Sequence, residues 1–162
     1  MKGKWLVNLV RETLKGGLSP VDAWRYLRLR FVPKPTHLQL SDVLFQNVDH
    51  ILCSIIGEVY INREYTPAAY EIETNDVVVD IGAHKGVFTA YAATRTRAPV
   101  FAFEPDPANL VELKALVARH HWEHVRVKPL ALAARANPSL TLYRASSSSR
   151  NSFRDQDPIS GQ

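Results

Sequence analysis

Cysteine is almost absent from this sequence, and long apolar runs are missing from it. Cys53 is the one cysteine among 162 residues, so no disulfide can form within the chain, and a small secreted domain held together by disulfides is excluded. No segment approaches the ~20 apolar residues of a membrane span. Asn8, Arg11 and Glu12 interrupt the charged and apolar start too soon for a signal peptide. We therefore expect a cytoplasmic protein without stable membrane insertion.

The excess of charge is small and positive. Lysine and arginine outnumber the acids by 20 to 16, which gives a net charge of +4, and no cluster combines basic with stacked aromatic side chains as RNA-binding surfaces do. Nucleic acid is therefore not expected as a partner. Arg25, Arg28 and Arg30 make one predicted helix basic, which leaves a role at a membrane surface or polyanion open beside a solvated face.

What the chain does contain is an apolar run that ends in an acid and opens into a loop spaced by glycines, VVVDIGAHKG at residues 77–86. A run without a polar residue before Asp80 predicts a parallel strand buried on both faces. Gly82 and Gly86 permit tight turning of the backbone beside a ligand, and residues 87–93 contain no Gly or Pro and predict a helix. Strand, glycine loop and helix in this order indicate a nucleotide-type cofactor site.

The spacing within the loop excludes two common cofactor motifs. The dinucleotide pattern G-x-G-x-x-G fails because His84 or Asp80 stands where a glycine is needed, and the phosphate-binding P-loop fails because Val87 replaces its second glycine. The pattern present is Asp-x-Gly-x-x-x-Gly. A carboxylate at the strand end would repel a pyrophosphate, but it suits a cationic ligand or one that bears an amino group.

A second acid follows the next apolar run. Residues 100–103 predict a second strand, and Glu104 comes directly after it, 24 positions beyond Asp80. An acid at about this offset accepts hydrogen bonds from ribose hydroxyls in nucleotide-binding sheets, and each bond to a charged acceptor contributes about 1.5–3 kcal/mol. Asp106 and Pro107 predict the cap and first residue of the following helix, and residues 125–128 predict a third strand.

These residues resemble a known family. Residues 78–86 (VVDIGAHKG), followed by Phe103, Glu104 and Pro105, resemble the glycine motif and the following acidic motif of class I S-adenosylmethionine-dependent methyltransferases. With residues 58–65 (EVYINREY) the closer resemblance is to the FkbM family. The resemblance implies S-adenosylmethionine as cofactor, with the strand-end acid and loop at its methionyl part and the second acid at its ribose. The implied cofactor-binding residues are Asp80, Gly82, Ala83, His84, Gly86, Glu104 and Pro105. The family more often has Asn at the position of His84. The resemblance therefore implies cofactor contacts from the backbone at this position rather than from the side chain.

The resemblance also implies the fold. We expect an α/β protein with a Rossmann-like class I methyltransferase sheet, of which the first three central strands are present. Residues 1–60 form accessory helices and a hairpin over the edge or face of that sheet, residues 61–145 the cofactor-binding half domain, and residues 146–162 a flexible Ser-rich tail. The match ends near residue 144, which indicates the N-terminal portion of such an enzyme.

The reaction implied by the resemblance is O-methylation of a hydroxyl on a small molecule or sugar-containing product, the expected partner of the site. No general base can be named; His84 is one option, but it suits the binding turn better. Tyr65 is either a packing aromatic or a site residue. His120, His121 and His124 invite a metal site, but without a cysteine they predict exposed residues. The alternatives are a module that binds the cofactor without transfer and a basic interaction protein. The oligomeric state is not predicted.

Overall fold

The computed structural model describes Arg11, residues 18–29 and 37–132, and the backbone of two short strands at residues 141–143 and 152–154. Arg30 and most of the predicted Ser-rich tail lie outside the described residues. The two short strands, β6 (Thr141–Tyr143) and β7 (Ser152–Arg154), pair antiparallel.

Two helices and a hairpin make up the described N-terminal elements, and a side chain caps the start of each helix. Helix α1 (Pro20–Leu29) starts after Ser19, whose hydroxyl accepts from the Asp22 N–H at 3.1 Å and donates to the Asp22 carboxylate at 2.9 Å. Strands β1 (His37–Leu40) and β2 (Val43–Gln46) then form an antiparallel hairpin. Asp49 caps helix α2 (His50–Ile56) by accepting from the Leu52 N–H at 2.7 Å. A π-helical turn (Gly57–Ile61) extends α2, and a 3₁₀ turn (Ala68–Tyr70) follows.

Three parallel strands form the central sheet, in the order in which the chain reaches them. They are β3 (Val78–Ile81), β4 (Val100–Phe103) and β5 (Val125–Lys128). Helix α3 (Val87–Ala93) connects β3 to β4, and helix α4 (Pro107–Arg119) connects β4 to β5. The Asp106 side chain caps α4 by accepting from the Ala108 N–H at 2.9 Å. The predicted strands, helices and caps of this region are confirmed.

The two helices cover one face of this sheet. Ala93 of α3 packs with Val100 and Val125 on that face, whereas Val79 and Ile81 on the opposite face are 52% and 65% exposed. The prediction that the first strand is buried on both faces is wrong for the described part of the chain. Both crossovers step in the same direction along the sheet, and right-handed crossovers then place both helices on the same face.

The hairpin and α2 pack on the helices rather than on the sheet. Their buried side chains, among them Phe45 and Leu52, share one core cluster with Val87 and Ala90 of α3 and Leu116 of α4. That cluster has no buried residue from the three central strands, so the prediction that the hairpin and α2 cover the edge or face of the sheet is wrong for the described residues. The reason is that α3 is apolar on both sides and needs a partner on its outer side as well.

The hairpin is also tied to the end of α4 by hydrogen bonds. The Leu44 N–H donates to His120 Nε2 at 3.1 Å, and Arg119 donates to the Leu44 carbonyl at 3.3 Å. His124 is half-buried with its Nε2 3.2 Å from the Ala93 carbonyl oxygen. Among the three histidines predicted to be exposed, His121 alone is so.

In the regions described, no helix is long and apolar enough to cross a membrane.

Candidate functional site

The glycine loop between β3 and α3 turns through three left-handed residues. Gly82, His84 and Gly86 have φ angles of 78°, 52° and 90°, a conformation that costs L-residues energy but that His, Asn and Asp tolerate better than most. A Cβ atom at Gly86 would approach Leu113 Cδ1 to 2.7 Å, whereas one at Gly82 would meet nothing within 4 Å. Gly86 therefore lets the loop lie against α4, and the space beside Gly82 is open to a ligand.

The N–H groups at the start of the loop are used within the protein. Those of Gly82 and Ala83 both donate to the Phe103 carbonyl, at 2.9 and 3.0 Å, and that of His84 donates to Glu104 Oε2 at 2.7 Å. A loop that binds phosphate needs converging N–H donors directed at the anion. Because these three donors are occupied, the structure agrees with the exclusion of a phosphate-binding loop.

Glu104, directly after β4, holds the loop and the next helix together. It is 5% exposed, and its Oε1 accepts from the Asp106 N–H at 2.8 Å and from Asn109 Nδ2 at 3.4 Å, in addition to the loop N–H on Oε2. A carboxylate offers about four lone-pair sites, so capacity for a ligand donor remains. Asn109 was not found from the sequence; its signal is its position in the first turn of α4, where side chains reach back to the strand ends.

Asp80 lies at the end of β3 and contacts the first turn of α3. It is 7% exposed, and the Thr89 hydroxyl donates to its Oδ2 at 2.5 Å. Burial raises the pKa of Asp80 to about 6, and the charge of Glu104 adds to that rise, whereas the hydrogen bonds from Thr89 oppose it. Thr89 was also missed in the sequence, although a threonine in the first turn after a glycine loop is well placed to face the preceding acid.

Lys85 connects the loop to the N-terminal elements. Its Nζ lies 2.9 Å from Asp49 Oδ2, at the start of α2, and the lysine side chain is 17% exposed. The cation of the loop therefore neutralises Asp49, while the two buried carboxylates Asp80 and Glu104 lie at neighbouring strand ends. This arrangement favours a ligand that brings positive charge or hydroxyl donors.

His84 is half-buried, and its backbone is part of the binding turn through the bond to Glu104. Burial lowers the pKa of its imidazole, and the neighbouring charge of Lys85 lowers it further, so the ring is neutral at neutral pH. Pro105 lies half-buried in the connection from Glu104 to α4. Its contact with a cofactor stays a prediction.

Tyr65 packs against the helix that follows the glycine loop. Its ring centroid is 5.3 Å from that of Phe88 in α3, and the residue is 53% exposed. Burial raises the pKa of the Tyr65 phenol, and the charges of Glu58, Asp80 and Glu64 raise it further. Tyr65 therefore packs against α3 and also lies within electrostatic reach of Asp80.

The strand order and the loop define the class of fold. Parallel β3, β4 and β5, crossed over by α3 and α4, form a Rossmann-like α/β arrangement, with the acidic strand ends and the glycine loop at the carboxyl edge of the sheet. Within the described residues, no group of three His, Cys, Asp or Glu side chains is placed to hold a metal ion.

Comparison with known proteins finds likeness in solved structures alone. No protein-family model and no curated protein matches the chain. An rRNA methylase from Streptococcus thermophilus is 18% identical over 45% of this chain and 42% of its own, with a TM-score of 0.38. Precorrin 8w decarboxylase from Methanobacterium thermoautotrophicum is 22% identical over 60% and 46%, with a TM-score of 0.36.

A third solved structure is coclaurine N-methyltransferase bound to N-methylheliamine and SAH, 14% identical over 80% of this chain and 37% of its own, with a TM-score of 0.35. The chain spans less than half the length of each of these three proteins. The FkbM assignment is not confirmed by these comparisons and stays a prediction.

Proposed function

We propose that this chain binds S-adenosylmethionine at the carboxyl edge of its parallel sheet and is the cofactor-binding part of a methyltransferase. Following the FkbM resemblance, the acceptor is a hydroxyl on a small molecule or sugar-containing product, and the protein acts in the cytoplasm. The loop from Gly82 to Gly86 and Asp80 hold the methionyl part, and Glu104 accepts from the ribose hydroxyls.

One observation carries this proposal. Two buried carboxylates, Asp80 and Glu104, lie at the ends of adjacent strands, while the loop cation Lys85 is paired with Asp49 instead. Burying acids without a cation beside them is costly, and a ligand with an ammonium group, a sulfonium and ribose hydroxyls offsets that cost. A pyrophosphate would add negative charge at the same place.

The residues of the chain would bind and orient rather than carry out proton chemistry. Bound S-adenosylmethionine supplies an electrophilic methyl group on its sulfonium, so the protein needs mainly to align an acceptor oxygen with it. The contact between Glu104 and the His84 N–H fixes the loop relative to β4, and Thr89 fixes the orientation of Asp80. Gly82 leaves the open side of the loop free of a side chain.

Calorimetric titration with two ligands tests the assignment of the two acids. S-adenosylhomocysteine contains the adenosine and the amino-acid part, whereas 5′-methylthioadenosine lacks the amino-acid part. We expect Asp80→Asn to weaken S-adenosylhomocysteine about tenfold or more and leave methylthioadenosine nearly unchanged, because about 1.4 kcal/mol corresponds to a factor of ten. Glu104→Gln should weaken both ligands.

The control is Glu123→Gln, since Glu123 is an exposed acid in the connection between α4 and β5. It should bind both ligands as the wild-type chain does. Glu104 also holds loop N–H groups, so thermal unfolding of each variant must accompany the titrations. If neither ligand binds the wild-type chain, or if Glu104→Gln binds both normally while folded, the proposal is refuted.

The same preparation distinguishes transfer from binding alone. Incubation with methyl-labelled S-adenosylmethionine and a panel of sugar and small-molecule hydroxyl acceptors should give labelled product if the chain transfers methyl groups. Cofactor binding without any product would favour the binding module considered from the sequence. The basic interaction protein receives less support, because Arg25 lies 3.2 Å from Asp22 and part of the basic charge of α1 is thereby neutralised.

A further inference from the structure

Helix α4 buries a polar side chain at a position where its pattern favours an apolar one. Asn109, Leu113 and Leu116 are the buried residues of this helix, and their spacing places them on the same side of it. The two leucines lie against Gly86 of the glycine loop. Asn109 comes one turn earlier, where α4 leaves the carboxyl edge of the sheet. Burying an amide there costs free energy unless the amide is hydrogen-bonded.

The hydrogen bonds of Asn109 do not offset this cost. An amide has two N–H donors and an oxygen with two lone pairs. Within the described part of the chain its side chain makes one hydrogen bond, from Nδ2 to Glu104 Oε1, and at 3.4 Å that bond is long. Because the nitrogen faces the carboxylate, Oδ1 is the amide atom left without a donor among these residues. The buried polar atoms that lack a partner do not include it, so a ligand can reach this oxygen from solvent.

Glu104 has less room for ligand donors than a free carboxylate. Its Oε2 accepts from the His84 N–H, and its Oε1 accepts from the Asp106 N–H and from Asn109 Nδ2. These donors occupy three of about four lone-pair sites. A ribose presents two neighbouring hydroxyl groups, so the carboxylate can accept from one of them without losing a bond to the protein. The other hydroxyl needs a second acceptor close by.

We propose that Asn109 is this second acceptor, so that its Oδ1 accepts from one ribose hydroxyl while Glu104 accepts from the other. The inference rests on the proposed function and adds a specificity residue to the same site. The ligand class that it selects is a ribonucleoside. A deoxyribose would leave one of the two buried acceptors without a donor, which weakens binding.

Calorimetric titration of the full chain with 5′-methylthioadenosine and with its 2′-deoxy and 3′-deoxy analogues tests this inference. In the wild-type chain, loss of the hydroxyl bound by Glu104 should weaken binding about tenfold or more, and loss of the other about 2- to 10-fold, because hydrogen bonds to charged acceptors are stronger. Asn109→Leu continues the apolar side of α4. It should bind one deoxy analogue within about twofold of methylthioadenosine, and it should still bind the other about tenfold or more weakly.

This split separates a contact with the ligand from a purely positioning role. If Asn109 only orients Glu104, Asn109→Leu should reduce both discriminations together. If it only packs, both should stay as in the wild-type chain. Either result overturns the inference while the proposed function stands.

The matched control is Asn62→Leu, since Asn62 is exposed and donates to Glu64 at 2.9 Å. It removes another Asn–Glu hydrogen bond and should leave all three affinities unchanged. Thermal unfolding shows whether each variant folds, and Asn109→Ala provides the same comparison if Asn109→Leu does not. If the wild-type chain binds none of the three ligands, the proposed function fails and this inference fails with it.

Discussion

Replacing Asp80 by asparagine should make the folded protein more stable at pH 8, even though the same change should weaken the proposed cofactor site. Asparagine has nearly the same shape as aspartate and can still accept from the Thr89 hydroxyl, which donates to Asp80 at 2.5 Å. It carries no charge, so the cost of burying an ionised group disappears. The substitution therefore separates the effect of the Asp80 charge on folding stability from its effect on cofactor affinity.

The magnitude follows from the pKa of the Asp80 carboxyl. Burial raises that pKa from 3.8 to about 6, and this difference corresponds to about 3 kcal/mol of unfolding free energy. For an acid whose pKa is raised in the folded state, the cost is fully present above about pH 6. It shrinks as the pH falls from 6 towards 3.8, because the native protein takes up the proton first, and it is absent below that range.

Urea unfolding of both proteins at pH 8 and at pH 4.5 measures this directly, with the fluorescence of half-buried Trp122 as the signal. Asp80→Asn should be more stable than wild type by up to about 3 kcal/mol at pH 8, and by clearly less at pH 4.5. Thr89→Val, which removes the donor, should instead lower stability more at pH 8 than at pH 4.5. A stability difference that does not change with pH, or an Asp80→Asn protein that is less stable than wild type at pH 8, would refute the reasoning.

Three further predictions concern the loop. Gly86→Ala should lower the unfolding free energy by about 2–4 kcal/mol in urea titrations and Gly82→Ala by about 1 kcal/mol, because only the first adds a steric clash to the backbone strain; equal losses would contradict the packing of the loop on α4. His84→Asn should change stability by no more than about 0.5 kcal/mol and leave S-adenosylhomocysteine binding intact, since the backbone makes the contact to Glu104; a loss of binding would assign a role to the imidazole. Lys85→Met and Asp49→Asn should each cost about 1 kcal/mol, and their double mutant no more than either alone; additive losses would show that the ion pair does not form in solution.

Local sequence signals predicted the parts of the fold that local chemistry decides. Asp106 caps α4 at the residue where its side chain made a cap expected, and Asp80, the glycine loop and Glu104 lie at adjacent strand ends as their spacing indicated. These features depend on neighbours within a few positions or on the edge of a parallel sheet, where all carboxyl ends meet.

Contacts between segments that are distant in sequence could not be predicted from these local signals. An apolar helix such as α3 does not reveal from its own residues that its outer side packs on a hairpin some 40 positions earlier. The exposure of Val79 depends on the direction of two crossovers, which the β-branched run of β3 does not encode. Thr89 and Lys85 looked like ordinary helix and loop residues, because their partners, Asp80 and Asp49, are fixed by the tertiary fold.

Within the described residues β3 is an edge strand, and this has a consequence for how its amide protons exchange with solvent. In the described part of the chain β3 pairs with β4 on one side, and the Val78 and Gly82 N–H groups donate towards that strand. The N–H groups of Val79 and Ile81 alternate with these and point to the other edge. Amide exchange along β3 should therefore alternate, slow at Val78 and Asp80 and fast at Val79 and Ile81. Uniform protection along the strand would mean that another segment or molecule pairs with that edge in solution.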